Sequence, residues 1–293
     1  MDYYEFQRHE EKKEHGNIMF PFVKYHTDIP NCISCFPIHW HGDIEIIFVN
    51  YGNCYYIVNS KKLLLEEGDI LVITPSVLHS FYQNGNNTFL GDTYVFNLNI
   101  INNNMDICNS KYFRPLLKGE CSPYLLIKKN HIAYSKCMKI MNELSSTFKE
   151  KNEFYEIKIK AFLLELFYIF FTEKIITLSS KPKEDKVTKI AKEILTFIEE
   201  NYENNLSLQL ISNTFGISVY HLSHIFRKAT GISCIQYLID YRLSVAANML
   251  RQNNLPILNI ALDTGFNNIS YFNRTFKKKF NVTPTEYRNL LYL

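Results

Sequence analysis

Between Ser218 and Tyr287 the chain repeats itself at an offset of 50 residues. SVYHLSHIFRKATGISCIQY (218–237) lies over NISYFNRTFKKKFNVTPTEY (268–287). Phe226 matches Phe276, Lys228 matches Lys278 and Tyr237 matches Tyr287, while Leu222/Phe272, Arg227/Lys277 and Ile232/Val282 agree in kind. Each copy follows a short apolar run, Leu208 to Phe215 or Leu258 to Thr264, and a turn holding Gly216 or Gly265. Self-similarity of this kind requires one supersecondary unit built twice. A short helix, a glycine turn and an amphipathic second helix make that unit a helix–turn–helix.

Cap residues punctuate the same region. Ser207 predicts a helix to Phe215, Ser218 one to Ala229 with Gly231 after it, and Ser233 a long one to Arg251. Pro256 opens the next, Asn268 caps another, and Thr283 with Pro284 starts the last, after an amphipathic helix over 187–201. In the second helix of copy one, Leu222, Ile225 and Phe226 share a face, leaving Tyr220, Ser223, His224 and Arg227 outward. In copy two Phe272 and Phe276 turn inward and Ser270, Asn273, Arg274, Lys277 and Lys278 outward. Such side chains donate to and accept from base edges and phosphates, as a helix in the major groove must. Charge agrees: residues 186–293 carry 12 Lys+Arg against 7 Asp+Glu, whereas residues 1–185 carry 20 against 22. An anion-binding C-terminal domain is implied.

The N-terminal part reads differently. From Val23 to about Leu98, short runs rich in Ile, Val, Tyr and Phe (IEIIFVN, CYYIVN, KLLLE, DILVITP, TYVFNLN) alternate with turn signals at Tyr51-Gly52-Asn53, Asn59-Ser60, Glu67-Gly68-Asp69 and 83–86. That spacing predicts an antiparallel sandwich or barrel. Two helices follow, near 131–149 and 154–176; in the second, Ile159, Leu163, Leu166 and Phe170 form an apolar stripe that either packs on the barrel or pairs two chains. SSKPKED (179–185) is polar and aperiodic, the expected linker. The fold class is thus α+β with two domains. KAFLLELFYIFFTEK is broken by Glu165 and Glu173, too short an uncharged run to span a bilayer, so no membrane association is expected. The polar opening MDYYEFQRHEEKKEHG holds no export leader, and the expected location is the cytoplasm. In that reducing compartment most of the seven cysteines are expected as small core residues, the lone Cys32-x-x-Cys35 lacking a second CxxC to complete a zinc cluster.

The run RLSVAANMLRQNN…ILNIALDTGFNNISYFNRTFKKKFNVTPTEYR closely resembles the signature of AraC/XylS-type transcription regulators over about the last hundred residues. The resemblance implies two helix–turn–helix units on a rigid linker helix, both recognition helices entering successive major-groove segments of promoter DNA. It departs at His224, a position often basic in that family. His39-x-His41-x3-Glu45-x6-Gly52 and Gly68…Pro75…His79 resemble the two cupin motifs, which in a cupin barrel gather His39, His41, Glu45 and His79 at one interior point. This chemistry suits a divalent transition metal, a metal-free ligand pocket or hydrogen-bonded core residues. The reading adopted is a metal-free effector pocket including His39, Trp40, His41, Glu45, Tyr55 and His79, with no cofactor. A sugar is the effector the resemblance suggests first, while Phe36, Trp40, Phe48, Tyr55 and Tyr56 equally suit a fatty acid or aromatic compound.

The organisation expected is therefore a cupin-like ligand-sensing β-barrel over 1–130, a helical pair for dimerisation over 131–178, the linker 179–185, and an all-α double helix–turn–helix over 186–293. The resemblance implies a homodimer, with RNA polymerase a further candidate partner. A metal-dependent cupin enzyme fused to a DNA-binding domain, and a regulator without a small-molecule effector, are the competing functions.

Overall fold

A computed structural model describes residues 16, 19–31, 35–102, 106–178, 186–252 and 255–289. These form two compact units that part before Lys186. The expected linker 179–185 lies outside the described residues, as do Cys32, with it the CxxC, and nearly all of the polar opening segment. Among the described residues no helix is long and apolar enough to cross a membrane.

The first unit is built on β1 (Phe22–Ile29), β2 (Cys35–His39), β3 (Ile44–Val58), β4 (Lys61–Glu66), β5 (Ile70–Ile73), β6 (His79–Gln83), β7 (Phe89–Phe96) and β8 (Tyr124–Ile127). All pairings are antiparallel. One sheet runs β1-β7-β3-β5-β8; in the other, β6 lies between β2 and the far half of β3, and β4 pairs that half on its other side. Ile29, Ile47, Val49, Leu71, Ile73 and Phe89 of the first sheet share a core with Cys54, Tyr56, Val58, Leu65 and Phe81 of the second.

One strand thus serves both sheets, and this overturns the turn expected at Tyr51-Gly52-Asn53. The chain does not reverse there. The pairing of β3 with β7 shifts register between Val49 and Tyr51, and Gly52 takes a left-handed φ of 76°. A β-bulge with glycine bends a strand and carries it on. The reversal comes at Asn59-Ser60, both left-handed (φ 47° and 66°), in a two-residue hairpin between Val58 and its partner Lys61. Strands β1, β2, β6 and β8 escaped the sequence reading because they are short or polar, and β2 carries Pro37.

The first sheet's other face is covered by helices. After a short α1 (Arg114–Leu117) come α2 (Tyr134–Glu150) and α3 (Tyr155–Thr172). Ile44, Ile46, Ile70, Val72 and Phe96 pack with Ile140, Leu144, Ile159, Leu163, Leu166 and Phe170 in a single core. The stripe read as a possible pairing surface is therefore buried inside its own chain.

The second unit comprises α4 (Lys186–Asn201), α5 (Leu208–Thr214), α6 (Val219–Thr230), α7 (Cys234–Gln252), α8 (Ile257–Asp263), α9 (Ile269–Phe280) and α10 (Pro284–Asn289). The caps work as the sequence indicates. Ser207, Ser218 and Asn268 side chains accept from the backbone N–H of Leu210, His221 and Tyr271. Thr283 and Glu286 form a reciprocal capping box. The repeat is literal: α6 and α9 are each 12 residues long, and each ends on a left-handed residue, Gly231 or Asn281.

The bend at Gly52 yields a prediction. A Cβ there would run into the Thr88 carbonyl oxygen, so Gly52→Ala should destabilise the first unit by about 2 kcal/mol or more, backbone strain alone supplying ~1–3. Urea unfolding followed by near-ultraviolet circular dichroism checks this; an unchanged midpoint would show the bend to be adaptable.

Candidate functional site

Side-chain alternation on β3 places the barrel site. Ile44 and Ile46 face the helices, so Glu45 faces the space between the sheets. His39 on β2 stands opposite His79 on β6, their rings 4.0 Å apart. His41 follows β2 and is held by its backbone, its carbonyl accepting from Ser76 N–H at 2.7 Å. His39, His41, Glu45 and His79 are all buried, and one ligand atom from each lies within 4.8 Å of the others.

The hydrogen bonds orient the rings. His39 Nδ1 lies 3.0 Å from Pro37 O and His79 Nδ1 2.8 Å from Val77 O. A carbonyl only accepts, so each ring donates to it from Nδ1–H and turns Nε2 to the interior. Glu45 Oε2 lies 2.9 Å from His79 Nε2 and 3.4 Å from His41 Nε2. Burial pushes the Glu45 carboxyl up, but the charge of His79 and hydrogen bonds from both histidines outweigh it and hold it well below the usual carboxylate range. Burial first, then His79 and His41, depress His39 well below the usual imidazole range. The site thus offers an ionised carboxylate beside a neutral imidazole. Three imidazole nitrogens and a carboxylate oxygen at these separations also fit the donor set of a divalent transition metal, whose bonds are roughly 2.0–2.2 Å. Nδ1 bonds to backbone carbonyls are the usual support of such ligands.

Not every expected pocket residue points there. Cys54, Tyr56 and Val58 face the shared core, so Tyr55 turns outward, its ring 5.4 Å from Tyr82 and capped by Lys62 Nζ at 3.5 Å. Phe48 sits against the helix-side core. Trp40 is buried, but alternation between His39 and His41 directs it away from their point of convergence. The aromatic wall beside the histidines is Phe36, 4.5 Å from the His39 ring, with Phe81 at 5.8 Å from Phe36 and Tyr56 at 5.3 Å from Phe81. Phe81 was missed because HSFYQ gives no strand signal.

In the second unit, Leu222, Ile225 and Phe226 of α6 and Phe272 and Phe276 of α9 are buried. Tyr220 is 83% exposed, His224 and Arg227 are exposed and Ser223 is half-buried. Ser270, Asn273, Arg274, Lys277 and Lys278 are exposed along α9. Tyr220 and His224 rings stack at 6.5 Å, and the Arg274 guanidinium lies 5.6 Å over the Tyr271 ring. Arg274 forms no ion pair among the described residues. Lys279 turns the other way, donating to Asp240 O and Ser244 Oγ of α7.

Comparison with known proteins agrees with this arrangement. Residues 34–167 match the model of the AraC-like ligand binding domain, and residues 211–290 match that of a helix-turn-helix domain. The HTH-type transcriptional regulator YdeC of Bacillus subtilis is 24% identical, with 97% of each chain covered. The HTH-type transcriptional activator RhaS of Mannheimia succiniciproducens is 26% identical over 86% of this chain and 89% of its own. The multiple antibiotic resistance protein MarA of Escherichia coli is 41% identical over 95 residues, 32% of this chain and 75% of its own length. With an effector-type barrel and a duplicated helix–turn–helix in that order along its length, the chain belongs to the AraC/XylS family of DNA-binding transcription regulators that carry an N-terminal ligand-binding domain.

Proposed function

We propose that the regulator works as a homodimer, takes its effector at the histidine–glutamate point of the barrel, and reads DNA with α6 and α9 together. The observation that carries the effector site is the convergence of four buried ionisable side chains between the two sheets. The effector that suits them has an oxygen-bearing head for His39, His41, Glu45 and His79, and an apolar body for Phe36, Tyr56 and Phe81. A sugar satisfies the first requirement; a fatty acid or aromatic compound whose head donates a hydrogen bond to the Glu45 carboxylate satisfies both.

A second reading is favoured by the Nε2 atoms that the two carbonyl bonds turn inward: His39, His41, Glu45 and His79 hold a divalent metal. Bound there, it would supply a Lewis-acidic centre to which an effector oxygen coordinates. Thermal-shift measurements on the full chain against sugars and carboxylates test both readings. Near a hundredfold excess over Kd, a true effector should raise Tm by about 5–10 °C, and Glu45→Gln should abolish the rise. A rise that survives Glu45→Gln moves the site elsewhere. A rise lost after chelation and restored by one equivalent of metal selects the second reading.

The dimer rests on the outer face of α3. Phe154, Ile157, Leu164 and Tyr168 are 65%, 68%, 45% and 68% exposed, and with Ala161 they recur at alternating intervals of three and four. This is the seam of a two-stranded coiled coil. The stripe is self-complementary when antiparallel: Ile157 falls opposite Tyr168, Ala161 opposite Leu164, and Lys158 comes nearly level with Glu165 of the other copy. Ile157→Glu or Leu164→Glu should give folded monomers by sedimentation, whereas Leu163→Glu, in the core, should unfold the unit. A folded dimer from both outer-face variants would place the interface elsewhere.

DNA reading by α9 centres on Arg274, whose guanidinium can donate to guanine O6 and N7 together. Arg274→Ala should cost about 1–3 kcal/mol on a cognate duplex and relax preference at one base pair. Lys278→Ala should weaken cognate and random duplexes alike, as loss of a phosphate contact does. Titrations at fixed salt separate the two; an unchanged cognate-to-random ratio for Arg274→Ala would mean that α9 is rotated from this orientation.

A further inference from the structure

Midway along α7, Arg242 joins the two halves of the repeat. Its Nε donates to Tyr202 O and its Nη2 to Asn204 O, both at 2.8 Å, in the turn that ends α4. These carbonyls follow a helix C-terminus, where a cation is favoured. Helix α4 packs on α6, the first recognition helix. The same guanidinium lies 5.9 Å from the ring of Phe266, which opens the approach to α9 and packs on Phe272 at 5.1 Å. Arg242 makes no ion pair among the described residues; backbone carbonyls and a ring hold it. A Lys head cannot match that two-pronged donation.

Glycine geometry at the two turns points the same way. Gly216 and Gly265 both have left-handed φ, 63° and 82°. A Cβ on Gly216 would meet nothing within 4 Å, whereas one on Gly265 would come 2.7 Å from Tyr202 O and 2.9 Å from Arg242 Cζ. The turn of the second copy is therefore pressed against the junction that Arg242 fills, and the turn of the first copy is open. Lys279, tying α9 to Asp240 and Ser244 of α7, braces the second copy from its other side.

We propose that Arg242 is a positioning residue that fixes the separation and pitch of α6 and α9, so that the protein measures the spacing between two major-groove segments. This rests on the reading that both helices engage DNA. One inserted base pair displaces the second segment by about 3.4 Å and a tenth of a turn, which a rigid pair of helices does not follow.

The probe is the duplex that the wild-type full chain enriches from a randomised library, together with versions carrying one base pair inserted or removed between its two contacted segments. The wild type should lose about tenfold or more on the altered duplexes, a penalty of the size of a mismatched contact, and Arg242→Ala should lose only about twofold relative to its own binding of the enriched duplex. Gly265→Ala, which wedges the same junction open, should flatten the preference likewise. Gly216→Ala carries the same backbone strain without the junction and should leave the preference intact. Arg242→Lys replaces Arg242→Ala should the latter not fold, and should fall between it and wild type. An unchanged spacing ratio in the Arg242 variant, however weak its binding, overturns the proposal, as does an equal flattening by Gly216→Ala. A wild-type chain indifferent to spacing overturns it by removing the two-helix reading beneath it.

Discussion

Through the first half of β3 and through β5, the first sheet of the barrel unit has no solvated face. One side bears on α2 and α3, the other on the second sheet, and successive residues of β3 and β5 alternate between two dry cores. This explains runs such as IEIIF and ILVI, where period-two alternation of polar and apolar residues is absent. It also gives Glu45 its meaning. A carboxylate in such a strand is expensive to bury, and His41 and His79 meet it. Its neighbours Ile44 and Ile46 lie on the helices, so the polar point and the helix pair are separated by a single residue of one strand. Close-packed interiors transmit displacement over that distance.

What the sequence disclosed follows from the range of the interactions involved. The second unit is governed by local chemistry: Ser218 and Asn268 cap, Gly231 closes, and Phe226 and Phe276 anchor, each visible within a dozen residues of chain. The HxH and glutamate of the barrel were legible for the same reason. The bend at Gly52 was not, because a glycine between polar residues signals a turn and a bulge alike; only pairing with β7 decides between them.

Helix α3 was ambiguous for a different reason. It is apolar almost all round, so both Ile159-Leu163-Leu166-Phe170 and Ile157-Ala161-Leu164-Tyr168 make acceptable stripes. Periodicity says that a stripe exists, and tertiary packing says which one is spent on the chain's own core. Tyr55 and Tyr56 pose the same problem in a strand, where a one-residue ambiguity in phase exchanges inside for outside. Phe81 could not be found at all without its partner strand.

The duplicated helices have a consequence for how the chain acquires its structure. Their contacts are close in sequence and each copy carries its own start and stop signals, so contact order in the second unit is low and either copy can serve as a nucleus. The barrel has no such shortcut: Phe22 pairs with Phe96, and β5 awaits β8 at Tyr124–Ile127. Because chains dominated by distant pairings fold more slowly by orders of magnitude, the segment synthesised first is the one expected to finish last, and the DNA-binding helices should be complete while the ligand barrel is still closing.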